Sequence, residues 1–285
     1  MIRFYFSLLL LVSAYVDAKH ITINVGTYQD HQAAIKQATT NDKCPTLSEV
    51  DLGENQVLTE YLIFCNALKY SDNTYEILLS SYPNNGRMLN DVQDKLIDAT
   101  AIGIWRNEVE IDKLAISPAL FRSNEFEKGL YSTKEVLDHI SQFQALKSAV
   151  TLVNQNWYHD WEILECAGIK LMHVGFYEQM FNMIKIGRGQ FVPITFGPET
   201  NLERNQFGIS LYPFPNYKMV FRDSTHFVIN TENKIGEILL ADLQSGLRKL
   251  RDKGAIVDAY HRIGIINSAV KDWQPIQCVT SVATF

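Results

Sequence analysis

The side chains able to do chemistry are spread along a chain of 285 residues rather than gathered into one motif. His159-Asp160, with Trp161 and Glu165 close behind, is the most acid/base-like group, and a hydrolase would use such a pair to move protons. At helical spacing these residues are expected to form a solvated face instead. The seven histidines include no His-Glu-x-x-His pair, the spacing that sets two imidazoles around zinc on one helix face. There is no Gly-x-Ser-x-Gly elbow to expose a nucleophilic serine and no Gly-rich loop to cradle a phosphate. Cys44, Cys65, Cys166 and Cys278 include no Cys-x-x-Cys pair, so neither a zinc site nor a dithiol redox centre is expected. The expectation is a protein that is not an enzyme and takes no metal and no cofactor.

Composition narrows the class further. Lys+Arg 26 against Asp+Glu 32 gives a formal net charge of −6, with no local basic cluster, so no nucleic-acid partner is expected. An aromatic content of 11% excludes a disordered chain, and a mean hydropathy of −0.09 excludes a polytopic membrane protein. The N-terminus reads as a signal peptide over residues 1–18. Met1-Ile2-Arg3 is a short positive start, Phe4 to Val16 is apolar apart from Ser7 and Ser13, and Val16-Asp17-Ala18 supplies a small-residue cleavage site. That apolar run is too short for the roughly 20 residues a spanning helix needs. Export makes disulfides available to the four cysteines. Cys44 and Cys65 lie in one early segment and are expected to pair, whereas Cys166 falls in a helical pattern and reads as a buried thiol.

The elements that must position these residues follow from periodicity. Ile21, Ile23 and Val25 alternate with Thr22 and Asn24 as a strand, which Gly26 to Asp30 then breaks. Gln56 to Lys69 carries Leu58, Tyr61, Leu62, Cys65 and Leu68 at helical spacing and is expected to be an amphipathic helix, and Tyr75 to Ser81 reads as a second strand. Pro83 to Gly86 is a turn, Arg87 to Lys95 a helix, and Ile97 to Ile104 a further apolar strand segment. The same alternation restarts with strand 149–153, helix 158–167, strand 170–174, helix 177–186 and strand 191–195. Leu240, Leu243, Leu247 and Leu250 then stripe a long helix, with Gly254 where a C-terminal cap belongs. Alternating strands and helices imply an α/β fold with open, mostly parallel sheets.

Several segments, in order, resemble the type II periplasmic solute-binding proteins (solute-binding protein family 3), which include the amino-acid-binding components of ABC transporters. Tyr82-Pro83-Asn84-Asn85-Gly86-Arg87 through Ile97-Asp98-Ala99 is similar to that family's turn, helix and Asp-Ala strand, with Lys95 where the family has Gly. Trp105-Arg106-Asn107-Glu108 followed by Ile116-Ser117-Pro118 resembles the stretch before the first crossing between lobes. Gly187-Arg188-Gly189-Gln190 and Gly246 to Ile256 resemble the corresponding second-lobe and C-terminal segments. The resemblance implies two lobes joined by a hinge, lobe one from residues 19–122 plus 218–285 and lobe two from residues 123–217.

It also implies ligand contacts in four loops. Carried onto this chain they fall at Tyr28 and Asp30, at Trp105 and Arg106, at Asn156 and Trp157, where a helix opens, and at Thr195. Free N–H groups at a helix start favour an anion, and aromatic bodies with polar edges suit a cleft that desolvates a small solute. Two family charges are missing: the arginine that holds an amino acid's carboxylate falls at Glu110, and the aspartate that neutralises its ammonium falls at Thr195. A ligand other than a standard α-amino acid, or no tight small ligand at all, is therefore expected, because an unpaired buried charge is expensive. The expected function is capture of a small polar solute by an exported, periplasmic, monomeric binding protein for an ABC-type permease. The alternatives are a sensory module for a membrane receptor and a hydrolase using His159 and Asp160.

Overall fold

The computed structural model describes residues 18–40, 44–110 and 112–278; the expected leader lies outside them except for Ala18. The alternation read at the start becomes β1 (His20–Tyr28), with Ile21, Ile23 and Val25 buried. β2 (Thr74–Tyr82) and β3 (Ala99–Thr100) both pair with β1 in parallel, as crossovers through helices require. Those crossovers carry α1 (Gln32–Ala38), α2 (Gln56–Leu68) and α3 (Asn85–Gln93). Asn55 and Asn84 cap α2 and α3 by accepting the N–H groups of Leu58 and Arg87. β5 (Ala115–Ile116) and the returning β14 (Val228–Ile229) complete a sheet of order β2-β1-β3-β14-β5, with β14 antiparallel to both its neighbours.

Lys95 adopts φ 62°, which explains why the resembled family places Gly there, and its amine pairs with Glu232.

A second sheet is built around β6 (Glu127–Ser132), which pairs antiparallel with β9 (Val192–Thr195), β11 (Ile209–Pro213) and β12 (Tyr217–Val220). β10 (Arg204–Gln206) extends it through a tight turn at Phe207 and Gly208, both at positive φ, as a two-residue hairpin demands. Parallel pairing is thus concentrated in β1, β2 and β3 and in β7 (Thr151–Val153) with β8 (Leu171–His173). Around β6 the pairs run antiparallel, although its partners β9, β11 and β12 lie far along the chain, and only β10 with β11 is a hairpin. Leu130 of β6 faces one hydrophobic cluster and Tyr131 another, so this sheet is covered on both sides. Its helices are α4 (Lys134–His139), α5 (Phe143–Ser148), α6 (Tyr158–Cys166) and α7 (Tyr177–Lys185). α8 (Lys234–Asp252) packs on α2, with Gly254 in the left-handed conformation between it and α9 (Ala255–Arg262).

Two connecting segments, 117–126 and 221–228, run antiparallel between the sheets. The Asn124 N–H donates to the Phe221 carbonyl (2.8 Å), the Phe221 N–H to Phe126 (3.1 Å) and the Thr225 N–H to Phe121 (3.1 Å). A third connection leaves α9 and ends as β15 (Gln274–Pro275), parallel to β12. Cys44 and Cys65 form the expected bridge. Cys166 is not the buried thiol its helical pattern implied: it is bonded to Cys278, 112 residues away, which fixes the tail to α6. Among the described residues no helix is long and apolar enough to cross a membrane.

Candidate functional site

A cleft of about 650 Å³ lies between the two sheets. From the first side it is lined by Asn85 at the start of α3, Gln56 at the start of α2, and Gly103, Trp105 and Glu108 around β4 (Ile104–Trp105). From the second come Phe126, Lys128, the start of α6 with Trp157 just before it, Tyr177 of α7, and Pro193 to Thr195 of β9. Of the seven residues expected from the sequence, Trp105, Asn156, Trp157 and Thr195 line this cleft together.

The other three do not line it. Tyr28 lies one layer behind, its hydroxyl donating to Asn85 Oδ1. Asp30 is exposed in the turn after β1. Arg106 donates its N–H to the Ser224 carbonyl and directs Nη1 to the carbonyl of Val109 at 3.5 Å. Glu110, at the position of the family's arginine, pairs on the surface with Lys113 at 2.8 Å.

Lys128 makes a bidentate ion pair in the cleft. Its Nζ lies 2.8 and 3.0 Å from the two carboxylate oxygens of Asp160 and 5.1 to 5.8 Å from the rings of Trp157, Phe221 and Phe126. Asp160 is therefore not on a solvated helix face: it is buried, and burial pushes its carboxyl up while Lys128 pulls it back. His159 leans its ring against Trp105 (4.8 Å) and brings Nε2 to 3.2 Å from Asp223 Oδ2. Trp105 is stacked on Phe221 and meets Phe126 edge-on, so one face of the cleft is an aromatic wall continuous with the connecting segments. Glu108 Oε2 accepts from Asn85 Nδ2 at 2.9 Å, and burial raises its carboxyl above the ordinary range.

Behind Gly103 and Gln56 stands Glu60, 2% exposed, accepting from Gln56 Nε2 (2.8 Å) and the Gly103 N–H (2.9 Å). Burial outweighs those two bonds and pushes it up to about 7.

A serine–histidine pair also occurs, and its placement decides its role. Ser224 Oγ is 2.8 Å from His226 Nε2, and His226 Nδ1 is 2.7 Å from the Ser117 carbonyl. Burial holds this imidazole low, so it is neutral, donating to Ser117 and accepting from Ser224. Along β13 (Thr225–His226) side chains alternate, and it is Thr225 that lines the cleft. The pair pins the two connecting segments together and presents no nucleophile to the cleft. Among the described residues no group of three or more His, Cys, Asp or Glu is placed to hold a metal ion.

The polar and aromatic cleft residues missed by sequence reasoning include Asn85, Glu108, Lys128 and Tyr177, with Asp160 given the wrong surroundings. Glu108 stands in the Trp105 to Glu108 motif already singled out; Lys128 sits in a segment with no periodic signal.

No family model and no curated protein sequence matches this chain. Solved structures do. The probable amino-acid ABC transporter extracellular-binding protein ytmK from Bacillus subtilis aligns over 87% of this chain and 99% of its own, at 13% identity and a TM-score of 0.57. The ancestral amino-acid-binding protein AncCDT-1, described as a precursor of cyclohexadienyl dehydratase, aligns over 85% and 95% at 13% identity and 0.52. An ancestral arginine-binding protein bound to arginine aligns over 85% and 97% at 15% identity and 0.50. With its two sheets, paired connecting segments and intervening cleft, the chain has the two-lobed α/β fold of the type II periplasmic binding proteins.

Proposed function

We propose that this protein is an exported solute-binding protein that closes two lobes on a small polar solute and delivers it to an ABC-type permease. The observation that carries this reading is the cleft of about 650 Å³, lined from both sheets by aromatic walls and a few aimed polar groups. The neighbouring solved structures support it, because those with the same fold are named as amino-acid-binding proteins. The lobes would divide at residues 122/123 and 217/218, with segments 117–126 and 221–228 as the hinge. β12, which crosses the second boundary and pairs with β6, would move with lobe two. In this reading residues 1–18 are removed on export to the periplasm, and the mature protein acts as a monomer. Ligand contacts from both lobes favour the closed state, and Trp105 against His159 and Glu54 with Arg204 (3.1 Å) already bridge the two sides.

A thermal-shift screen of a broad solute library tests the proposal. A solute at 100 times its Kd adds about 2.7 kcal/mol of stability and raises Tm accordingly. Small-angle scattering with that solute should then show compaction. If no solute raises Tm, the solute-binding reading fails; an unchanged radius with a proven ligand refutes hinge closure.

A further inference from the structure

The charges that face the cleft do not cancel. Lys128 is matched by Asp160, which it holds through both carboxylate oxygens. His159 also lines the cleft, its Nε2 3.2 Å from an oxygen of Asp223, which is not a lining residue. Glu108 is left over: it is exposed, its Oε2 accepts from the Asn85 amide, and among the described residues no lysine or arginine pairs with it. Its position is not accidental, since Tyr28 donates to Asn85 and Asn85 to Glu108, a chain of hydrogen bonds that holds the carboxylate toward the cleft. Across from it stand the rings of Trp157 and Tyr177, 5.9 Å apart, with Trp105 on its own side. A carboxylate and several aromatic faces lining one cleft suit an organic cation.

We propose that the cleft takes a small organic amine or guanidine that carries no carboxylate, with Glu108 as its counter-charge. This deepens the solute-binding reading and rests on it. An amino acid would bring a carboxylate to a cleft in which no arginine is a lining residue, Arg106 being turned to the Val109 carbonyl. Among the described residues the one lysine lining it is Lys128, and drawing it toward a ligand carboxylate would strand Asp160 buried without its partner, a loss no single new ion pair restores. A cation instead completes the existing arrangement and offsets the desolvation that raises the Glu108 carboxyl.

The test is titration calorimetry of the purified chain with three matched pairs: agmatine and arginine, cadaverine and lysine, phenethylamine and phenylalanine. At least one amine is expected to bind about tenfold or more tightly than its amino-acid parent. Glu108→Gln, with the Tm of the unliganded protein as a control for folding, should weaken that amine by about tenfold or more. Equal or tighter binding of the parents, a Glu108→Gln protein that binds the amine as the wild type does, or no binding by any amine overturns the assignment. The wild-type pairs alone decide the matter if the variant does not fold. Binding of a neutral or anionic library solute but no amine would leave the solute-binding reading standing and overturn only the cationic ligand; silence from every solute overturns both.

Discussion

Replacing Glu60 with Gln isolates a contest between burial and hydrogen bonding that the structure sets up directly. Glu60 is 2% exposed and has no cation beside it, so removing its charge from water raises its carboxyl; the Gln56 amide and the Gly103 N–H, at 2.8 and 2.9 Å, lower it. Burial wins, and the group moves from an ordinary 4.5 to about 7. In the folded state it therefore holds a proton that the unfolded chain has already released. Stability falls as pH rises from about 4.5 to about 7 and is level above that, the reverse of the familiar salt-bridged carboxylate. The size of the fall follows from about 1.4 kcal/mol for each tenfold change in proton affinity, giving about 3 kcal/mol in all. Gln at the same position accepts from only one of the two donors, a loss of about 1 kcal/mol that does not depend on pH.

The measurement is urea unfolding of both proteins at intervals from pH 4 to pH 8, plotted as wild type minus Glu60→Gln so that every other titrating group cancels. The difference should drop by about 3 kcal/mol across the window and then level. A flat difference, or one that rises with pH, would show that the two donors hold the carboxylate ionised and that the ranking of the effects is wrong.

Three further outcomes are expected. Lys128→Met leaves Asp160 buried and unpaired and should lower stability at pH 7 by about 3 to 5 kcal/mol, most of it recovered by adding Asp160→Leu; a loss below about 1 kcal/mol would contradict the pairing. Removing the Cys166–Cys278 bridge with paired alanines should lower the urea midpoint more than removing Cys44–Cys65, because sequence separations of 112 and 21 close very different loops, for a loss of about 3 to 5 kcal/mol. Gly246→Ala drives a methyl to 2.0 Å from the Ala67 carbonyl oxygen where α8 crosses α2 and should cost about 3 kcal/mol. Gly86→Ala, where the added methyl meets only Asn84 Oδ1 at 3.7 Å, an ordinary contact, should be neutral or gain about 0.5 kcal/mol; equal effects of the two glycine changes would refute the close-approach argument.

Long elements with a sustained apolar period were legible in the sequence, although α2, read as amphipathic, is buried on every face from Val57 to Leu68. The alternation of β1, the apolar spacing of α2 and the leucine stripe of α8 up to Gly254 each state their period over several repeats. β6 was not, because Glu127 to Ser132 is covered on both sides, carries a lysine inward and includes Gly129, so neither strand alternation nor an apolar run shows. Strands of two residues such as β3 and β13 exist only through their pairing partners. Four of the seven expected ligand residues reach the cleft because the loops after strands were placed correctly. The charged residues were read less well: Lys128 meets Asp160 across 32 positions and Cys166 meets Cys278 across 112, separations that no local pattern encodes. The apolar spacing around Cys166 does report the helix, but a bridge partner attaches at its end.

The tail that β15 lays along β12 and Cys278 ties to α6 gives the molecule a load path that its linear order hides. The bridge turns the chain from 166 to 278 into a covalent ring, and that ring contains connecting segment 221–228 but not segment 117–126. Tension applied through the two ends would leave the main chain at Cys166, cross the sulfurs and bypass the ring, sheltering about 390 Å of contour for a separation of 112 residues until the bond is reduced. A protease that cut the exposed hairpin tip at Phe207 would free no fragment, since both cut ends remain tied through the same ring.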